Sequence, residues 1–411
     1  MSAVTQPEGR ARLRLAALLG MLAMLGSLSI DMYLPALPDI AEDLGSSASH
    51  AQLSLTSCLV GLGLGQFVLG PVSDSFGRRK PLLVSLASFT VASLLCALAP
   101  NTTTLVLARF VQGLTASGGV VLSRAIVRDV FSGKALATFY SLLMAIIAVG
   151  PLVAPIAGGG ILTLPSSSWR TVFFVLSLLG LFIVVVVGAR LGETLPAERR
   201  AADSFPHAVR AVCALLTDRA FIGYALVIAL IHGGSFAYVA GTPFVYQDLY
   251  GVSPQTFSVL FGVNGLAFIS GSLIVARSSG VVRVRRLIGA ALVVALTASL
   301  TILVNTIVEG PLAAVVIPMF VFLAAMGVIL TASFPMAMEH QRHRAGSASA
   351  VLGTLPLLLG AAVAPLVGLD ESTGVPMGVA LFVSCSMGAA AFFGLTGQEG
   401  PRWWSRPPPA L

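Results

Sequence analysis

The chain has 411 residues, 56% hydrophobic and only 10% charged, with a mean hydropathy of +0.93. A soluble domain carries roughly 25% charged residues, so this chain lacks the charge to cover a water-facing surface, and lipid must cover it. The net charge of +7 does not mark a nucleic-acid binder, because the cations sit in short segments between apolar runs rather than among aromatics in a polar domain.

The first apolar run follows Arg10, Arg12 and Arg14, an arrangement similar to a signal peptide. No small-residue cleavage site closes it, and it continues through Asp31 to Pro38, so it reads as a retained first helix. A bilayer core of about 30 Å takes about 20 apolar residues per helix. Twelve runs meet that length: 15–37, 52–72, 81–99, 104–126, 136–161, 170–189, 221–245, 255–276, 287–306, 311–333, 346–367 and 376–396. They are continuous rather than alternating, which excludes strands, and helices satisfy their own backbone in lipid. Of the four cysteines, Cys58, Cys96 and Cys385 fall inside apolar runs and Cys213 in a basic loop, with no metal or disulfide spacing. Trp403 and Trp404 follow the last run as interfacial anchors.

The charges orient these spans. With the N-terminus in the cytoplasm, 22 of the 24 cations fall inside: Arg10 to Arg14, Arg78 to Lys80, Arg124, Arg128, Lys134, five in the central loop, Arg277 to Arg286, Arg342, Arg344, Arg402 and Arg406. Arg109 lies within a span and Arg170 outside. The outer loops hold Asp39, Glu42, Asp43, Asp248, Glu309, Asp370 and Glu371. The predicted fold is an all-α membrane protein of twelve transmembrane helices in two pseudo-symmetric six-helix halves, both termini cytoplasmic. Its parts are a cytoplasmic N-terminus (1–14), a first half (15–189), a central loop (190–220), a second half (221–396) and a tail (397–411). Val153–Gly158 in the fifth span echoes Val363–Gly368 in the eleventh, as parallel repeats require.

Several motifs add to this pattern. Gly70, Asp74, Gly77, Arg78 and Arg79 lie in the loop between the second and third spans, spaced Gly-x-x-x-Asp-x-x-Gly-Arg-Arg. The fourth span contains Arg109-Phe110-Val111-Gln112-Gly113. The fifth contains Gly150, Pro151, Pro155, Gly158 and Gly159, with Ile146 and Ile147 in the region of a further glycine. The first contains Ser29 to Pro38, and Trp169-Arg170 and Ala345 to Ala350 lie further on. Together these resemble the major facilitator superfamily, and within it the bicyclomycin-resistance-like (Bcr/CflA) drug exporters. The second-half counterpart of the loop, after Gly271, lacks the Asp. The resemblance spans essentially the whole chain. It implies drug:proton antiport across the bacterial inner membrane, with drug-like small molecules and protons as partners. The proton gradient is the energy source, and a monomer with no cofactor, metal or nucleic acid is expected.

Asp31 is the leading candidate for proton coupling. A carboxylate in a span is costly and usually functional, and because burial disfavours its charged form it can take up a proton in one state and release it in another. The alternative is that it merely ends the helix near the outer interface. Arg109, always charged, needs a carboxylate, carbonyls or water. It can pair with Asp31, or be fixed on backbone carbonyls. For Asp74 and Arg78 the resemblance implies a cytoplasmic gate, an ion pair and helix-end latch, against a purely topological role for the cations. The glycines and prolines of the fifth span serve either a seam between the halves or ordinary packing. Tyr33, Gln112, Phe236, Tyr238 and Asn264 are candidates to line a drug cavity, and His232 is either a group titrating near neutral pH or a hydrogen-bonded core residue.

An uptake or export carrier for a metabolite such as a sugar, amino acid or siderophore would share this fold. The sparse polar groups in the central spans favour amphipathic cargo. An enzyme is not expected: the sequence has no nucleophile–base pair, metal cluster or phosphate loop.

Overall fold

The computed structural model describes residues 9–200, 210, 212–278, 281–339, 341, 345–369 and 373–396. Trp403, Trp404, Arg342, Arg344, Arg402, Arg406, Asp370, Glu371 and residues 201–209 and 211 of the central loop lie outside the described residues. Among those described there is no strand.

The chain opens with α1 (Gly9–Asp31), a 3₁₀ turn (Leu34–Ala36) and a short α2 (Leu37–Asp43). Then come α3 (Ala48–Phe76), α4 (Arg79–Ala97), α5 (Thr102–Val130), α6 (Gly133–Ile161) and α7 (Trp169–Arg190). They are followed by α8 (Arg219–Phe244), α9 (Pro254–Ser278), α10 (Val284–Ile307), α11 (Ala313–Met338), α12 (Ala345–Val367) and α13 (Val375–Leu395). Among the described residues, eleven helical segments are long and apolar enough to cross a membrane, and within α6 the apolar stretch is Val149–Ile161.

Three expectations change. The run 15–37 is not one helix: α1 stops at Asp31, and Pro35 and Pro38 restart the chain as a 3₁₀ turn and α2. Proline lacks an N–H, and the residue before it is disfavoured in the α region, so the helix breaks ahead of this pair. Asp39, Glu42 and Asp43 therefore sit near or at the ends of a helix rather than in a loop. Arg10, Arg12 and Arg14, assigned to the cytoplasmic N-terminus, lie within α1. Finally, α5 extends past the apolar run to Val130, so Arg124 and Arg128 are helical too.

The helices group into two compact units. The first reaches Val209 and includes Pro254–Ser258; the second comprises Arg210–Ser253 and the chain from Val259. In the first unit, α3 packs along α5, α4 lies against α5 and α7, and α1 contacts α5 and α6. Glycine makes the α3–α5 contact possible. A Cβ on Gly61 would strike the carbonyl of Phe110, and one on Gly113 would strike the carbonyl of Cys58. Without a hydrophobic drive between helices in lipid, such close backbone approach supplies the packing energy. The second unit repeats this arrangement. A Cβ on Gly271 of α9 would strike the carbonyl of Ala324, and one on Gly327 of α11 that of Phe268. Its other helices pack as α8 with α12 and α13, and α10 with α11 and α13.

Gly113→Val should separate α3 from α5 and lower the thermal unfolding midpoint in detergent by several degrees, since overpacking costs about 1–3 kcal/mol. Gly160→Ala, whose Cβ would meet nothing within 4 Å, should leave the midpoint unchanged. Equal midpoints for both variants would refute the glycine clamp.

Candidate functional site

Two of the charged clusters of the first unit form nodes, one within the helices and one at the α3–α4 turn; apart from them, Arg170 pairs with Asp43 at the start of α7. The inner node is built on Arg109, which is fully buried. Its Nη1 donates to the Ser29 carbonyl at 2.8 Å and to Gln112 Oε1 at 2.5 Å, and its Nε reaches the Ser54 carbonyl at 3.4 Å. The guanidinium lies 4.2 Å from the Tyr33 ring centroid and 5.5 Å from that of Phe173. Gln112 passes the network on, donating to Ser93 Oγ at 2.8 Å, and Tyr33 Oη meets Ser54 Oγ at 3.1 Å. Arg109 therefore joins α1, α3 and α5 through backbone carbonyls, an amide and aromatic faces.

The expected pairing of Arg109 with Asp31 is not found. Asp31, 6% exposed at the last residue of α1, makes no ion pair or hydrogen bond among the described residues. Arg109 instead holds Ser29, two residues earlier on the same helix. Tyr33 and Gln112, read as cavity residues, are fully buried members of this network. Arg109 is also not alone as a helical cation: Arg124 lies on α5, its Nε buried without a hydrogen-bond partner.

The second node centres on Arg78, buried at the start of α4. Its guanidinium pairs with Asp74 at 2.6 Å and Asp129 at 2.8 Å, and donates to Ser73 Oγ at 2.6 Å. The adjoining backbone is held by Glu193, whose carboxylate accepts from the Arg78 N–H at 2.8 Å and the Arg79 N–H at 3.2 Å. An anion here satisfies donors that a helix leaves unpaired at its N-terminus and meets the positive end of its dipole. Conversely, Arg79 donates to the Gly188 carbonyl at 2.7 Å, near the C-terminus of α7, where a cation is favoured. Gly77 has a φ of +88°, and a Cβ there would run into the Glu193 carboxylate. That double constraint explains the glycine. A Cβ on Gly70 would make only an ordinary contact with Val121, at 3.9 Å.

The carboxylate at the helix N-terminus is thus Glu193, while Asp74 serves the ion pair. Neither Glu193 nor Asp129 stood out in the sequence, where each is a lone acid in a basic segment. Partial burial of Glu193 works against its charge, but N–H groups of Leu195, Arg78, Arg79 and Thr194 outweigh it and hold the carboxyl below its ordinary range.

In α6 the motif residues meet helices of the same unit. A Cβ on Gly150 would meet Ser27 of α1, one on Gly158 the carbonyl of Met32, and one on Gly159 the Ser258 side chain. Pro151 and Pro155 lie inside α6. In the second unit, Asn264 donates to Tyr238 Oη at 2.7 Å, and the Tyr238 ring stacks on Phe261 at 4.9 Å. Phe236 stacks on His232 at 5.7 Å, and both Phe236 and Tyr238 are buried. His232 is half-buried beneath the Phe236 ring.

Long apolar helices in two bundles, with charged side chains held inside them, define a multi-pass membrane protein. Residues 19–365 match the Major Facilitator Superfamily, and the chain belongs to it. It is therefore a transporter and not an enzyme. It is 58% identical to the MFS-type transporter YdgK of Bacillus subtilis (strain 168), over 96% of this chain and 98% of that protein. It is 29% identical to a bicyclomycin resistance protein homolog of Haemophilus influenzae (strain ATCC 51907 / DSM 11121 / KW20 / Rd), over 93% of this chain and 96% of the relative. Its fold is shared with the crystal structure of a bacterial homolog of the human lysosomal transporter Spinster, at a TM-score of 0.73 and 15% identity, covering 95% and 98% of the two chains.

Two measurements test the nodes. Arg109→Lys keeps the charge but cannot reach three elements with one planar group. It should cost about 2–3 kcal/mol, read as a lower unfolding midpoint in detergent; an unchanged midpoint would show that the fork is not needed. For Glu193 the sign follows from its depressed value. Its contribution is complete above the ordinary glutamate range and lost as pH falls through the lower folded value. Glu193→Gln should accelerate amide exchange at residues 78–83 at neutral pH, by about 1 kcal/mol of opening energy. The difference from the native protein should vanish only in acid below that range. A difference that fades near neutrality would rule out the carboxylate cap.

Proposed function

We propose that this transporter expels small amphipathic, drug-like compounds in exchange for protons across a bacterial cytoplasmic membrane, as a monomer. The observation that carries this reading is Asp31. A carboxylate buried at the end of α1, without an ion pair or hydrogen bond among the described residues, is not held in its charged form by a fixed cation. It is free to take a proton from the side of higher proton concentration and to release it on the other. A cationic or polar substrate group that competes for the same carboxylate then leaves as the proton enters, so proton entry drives export without a cofactor. The Haemophilus relative's name, bicyclomycin resistance protein homolog, supports a drug-like cargo.

Arg109 is on this reading a positioning residue. Through the Ser29 carbonyl it fixes the last turn of α1 and so the place of Asp31. Tyr33 and Gln112 act through it, while Phe236, Tyr238 and Asn264, buried in the second unit, are the aromatic and amide groups that cargo would meet there. Gly70, Asp74, Gly77, Arg78 and Arg79, joined by Asp129 and Glu193, form a latch that holds one state closed. In the Gly150, Pro151, Pro155, Gly158 and Gly159 motif, Gly150 and Gly158 keep α6 tight against α1 and the residue after it, while Gly159 faces Ser258.

The test uses inside-out vesicles carrying a proton gradient, with dyes reporting lumenal pH and cargo. The panel is lipophilic cations, bicyclomycin-like and chloramphenicol-like compounds, sugars and amino acids. A compound of the first two classes should dissipate the gradient with the native protein and not with Asp31→Asn, at equal protein insertion. Unaltered proton movement in Asp31→Asn would remove the role of Asp31. Movement of a sugar or amino acid alone would replace drug export by metabolite transport.

A further inference from the structure

A groove of about 340 Å³ runs along the outside of the first unit, starting at the α3–α4 turn. One wall is Leu69, Val72 and Phe76 of α3, and the other is Val84 and Ser88 of α4, with Thr115 of α5 on the floor. These spacings put each set on one helix face. Phe76 and Val84 are 64% and 67% exposed, so the groove is open to its surroundings. Its floor is dry in chemical terms, because Ser85 donates to the Thr115 carbonyl at 2.6 Å and Thr115 to the Val111 carbonyl at 2.7 Å. Lys80, at the mouth, is exposed and makes no hydrogen bond or ion pair among the described residues. Its neighbours in sequence are committed elsewhere, Arg79 to the Gly188 carbonyl and Arg78 to Asp74 and Asp129.

We propose that this groove seats one anionic glycerophospholipid, an acyl chain lying between α3 and α4 and the phosphate on the Lys80 ammonium. Charge complementarity selects this occupant. From Lys80 to Ser88 the helix rises about 12 Å, the depth of an acyl segment just below the headgroups. The polar groups of the floor are satisfied within the protein, so they offer nothing to a polar solute. Lys80, uncommitted among the described residues, sits at the end where a headgroup lies, beside a turn rich in cations. A basic pocket between membrane helices at the cationic face is the setting in which anionic headgroups bind. The site adjoins the Arg78 node, so a bound lipid would brace the α3–α4 turn from outside while Glu193 caps it from within. The proposal does not depend on what the protein transports.

The test places the full-length protein in vesicles of equimolar phosphatidylglycerol and phosphatidylcholine, extracts it in mild detergent and counts retained lipids by native mass spectrometry. The native protein should retain phosphatidylglycerol over phosphatidylcholine about fivefold, the worth of one lysine near an anionic headgroup. Lys80→Gln should bring the two lipids to parity. Val84→Trp, which fills the groove at an exposed position that tolerates bulk, should reduce retention of both. No preference in the native protein, an unchanged preference in Lys80→Gln, or undiminished retention in Val84→Trp would each overturn the assignment.

Discussion

The backbone contact of α3 with α5 at Gly61 and Gly113 is the constraint on which the first unit depends. In lipid, side chains gain little by leaving a solvent as apolar as themselves, so helices are held by how closely their backbones approach. These two helices also carry the polar groups of both nodes. From α3 come Ser54, Ser73 and Asp74; from α5 come Arg109, Gln112 and Asp129. A side chain larger than hydrogen at either glycine would move the Ser54 carbonyl relative to Arg109 and Asp129 relative to Arg78. The packing of small residues therefore sets the electrostatics.

The two nodes solve the problem of a guanidinium in a low-dielectric place differently. Arg78 stands at a helix end and takes two carboxylates, with the peptide dipoles of α4 countered by Glu193. Arg109 stands mid-helix and takes no carboxylate among the described residues. Carbonyls at the end of α1 and on α3, the Gln112 amide and two ring faces share its charge. The first arrangement has opposite charges that can separate, which suits a latch. The second is a fixed brace whose partners are mostly backbone.

Much of this was legible in the sequence. Among the described residues the twelve apolar runs correspond to twelve long helices, because an uninterrupted apolar run of that length has no other stable form in lipid. Helix ends were less legible. Hydropathy marks the hydrocarbon layer, whereas hydrogen bonding carries α3 on to Phe76 and α5 to Val130, past the apolar runs. The break after Asp31 was written in Pro35 and Pro38 but was hidden by the apolar residues around them. Arg109 was recognisable as a buried charge, but its partners were not, since a carbonyl at Ser29 or Ser54 has no signature in residue type. Glu193 and Asp129 lie 115 and 51 residues from Arg78, and only the fold brings them to it.

That Arg109 is held by carbonyls and Gln112 through Nη1 and Nε, its Nη2 buried without a hydrogen-bond partner, and is not paired with Asp31 bears on what Asp31 can do. Had the two been paired, a proton arriving at the carboxylate would have had to displace a guanidinium, leaving a buried cation exposed to the full cost of desolvation. With carbonyls and Gln112 holding the guanidinium, the charge of Asp31 can change while the brace stays whole. The sequence separation of the two roles is small, because Ser29 is held and Asp31, two residues on, is not. It falls where α1 ends and the proline-directed turn begins. A rigid anchor followed at once by a helix terminus gives the carboxylate a fixed position without a fixed partner, and this is what a site that must alternate between a proton and a cargo requires.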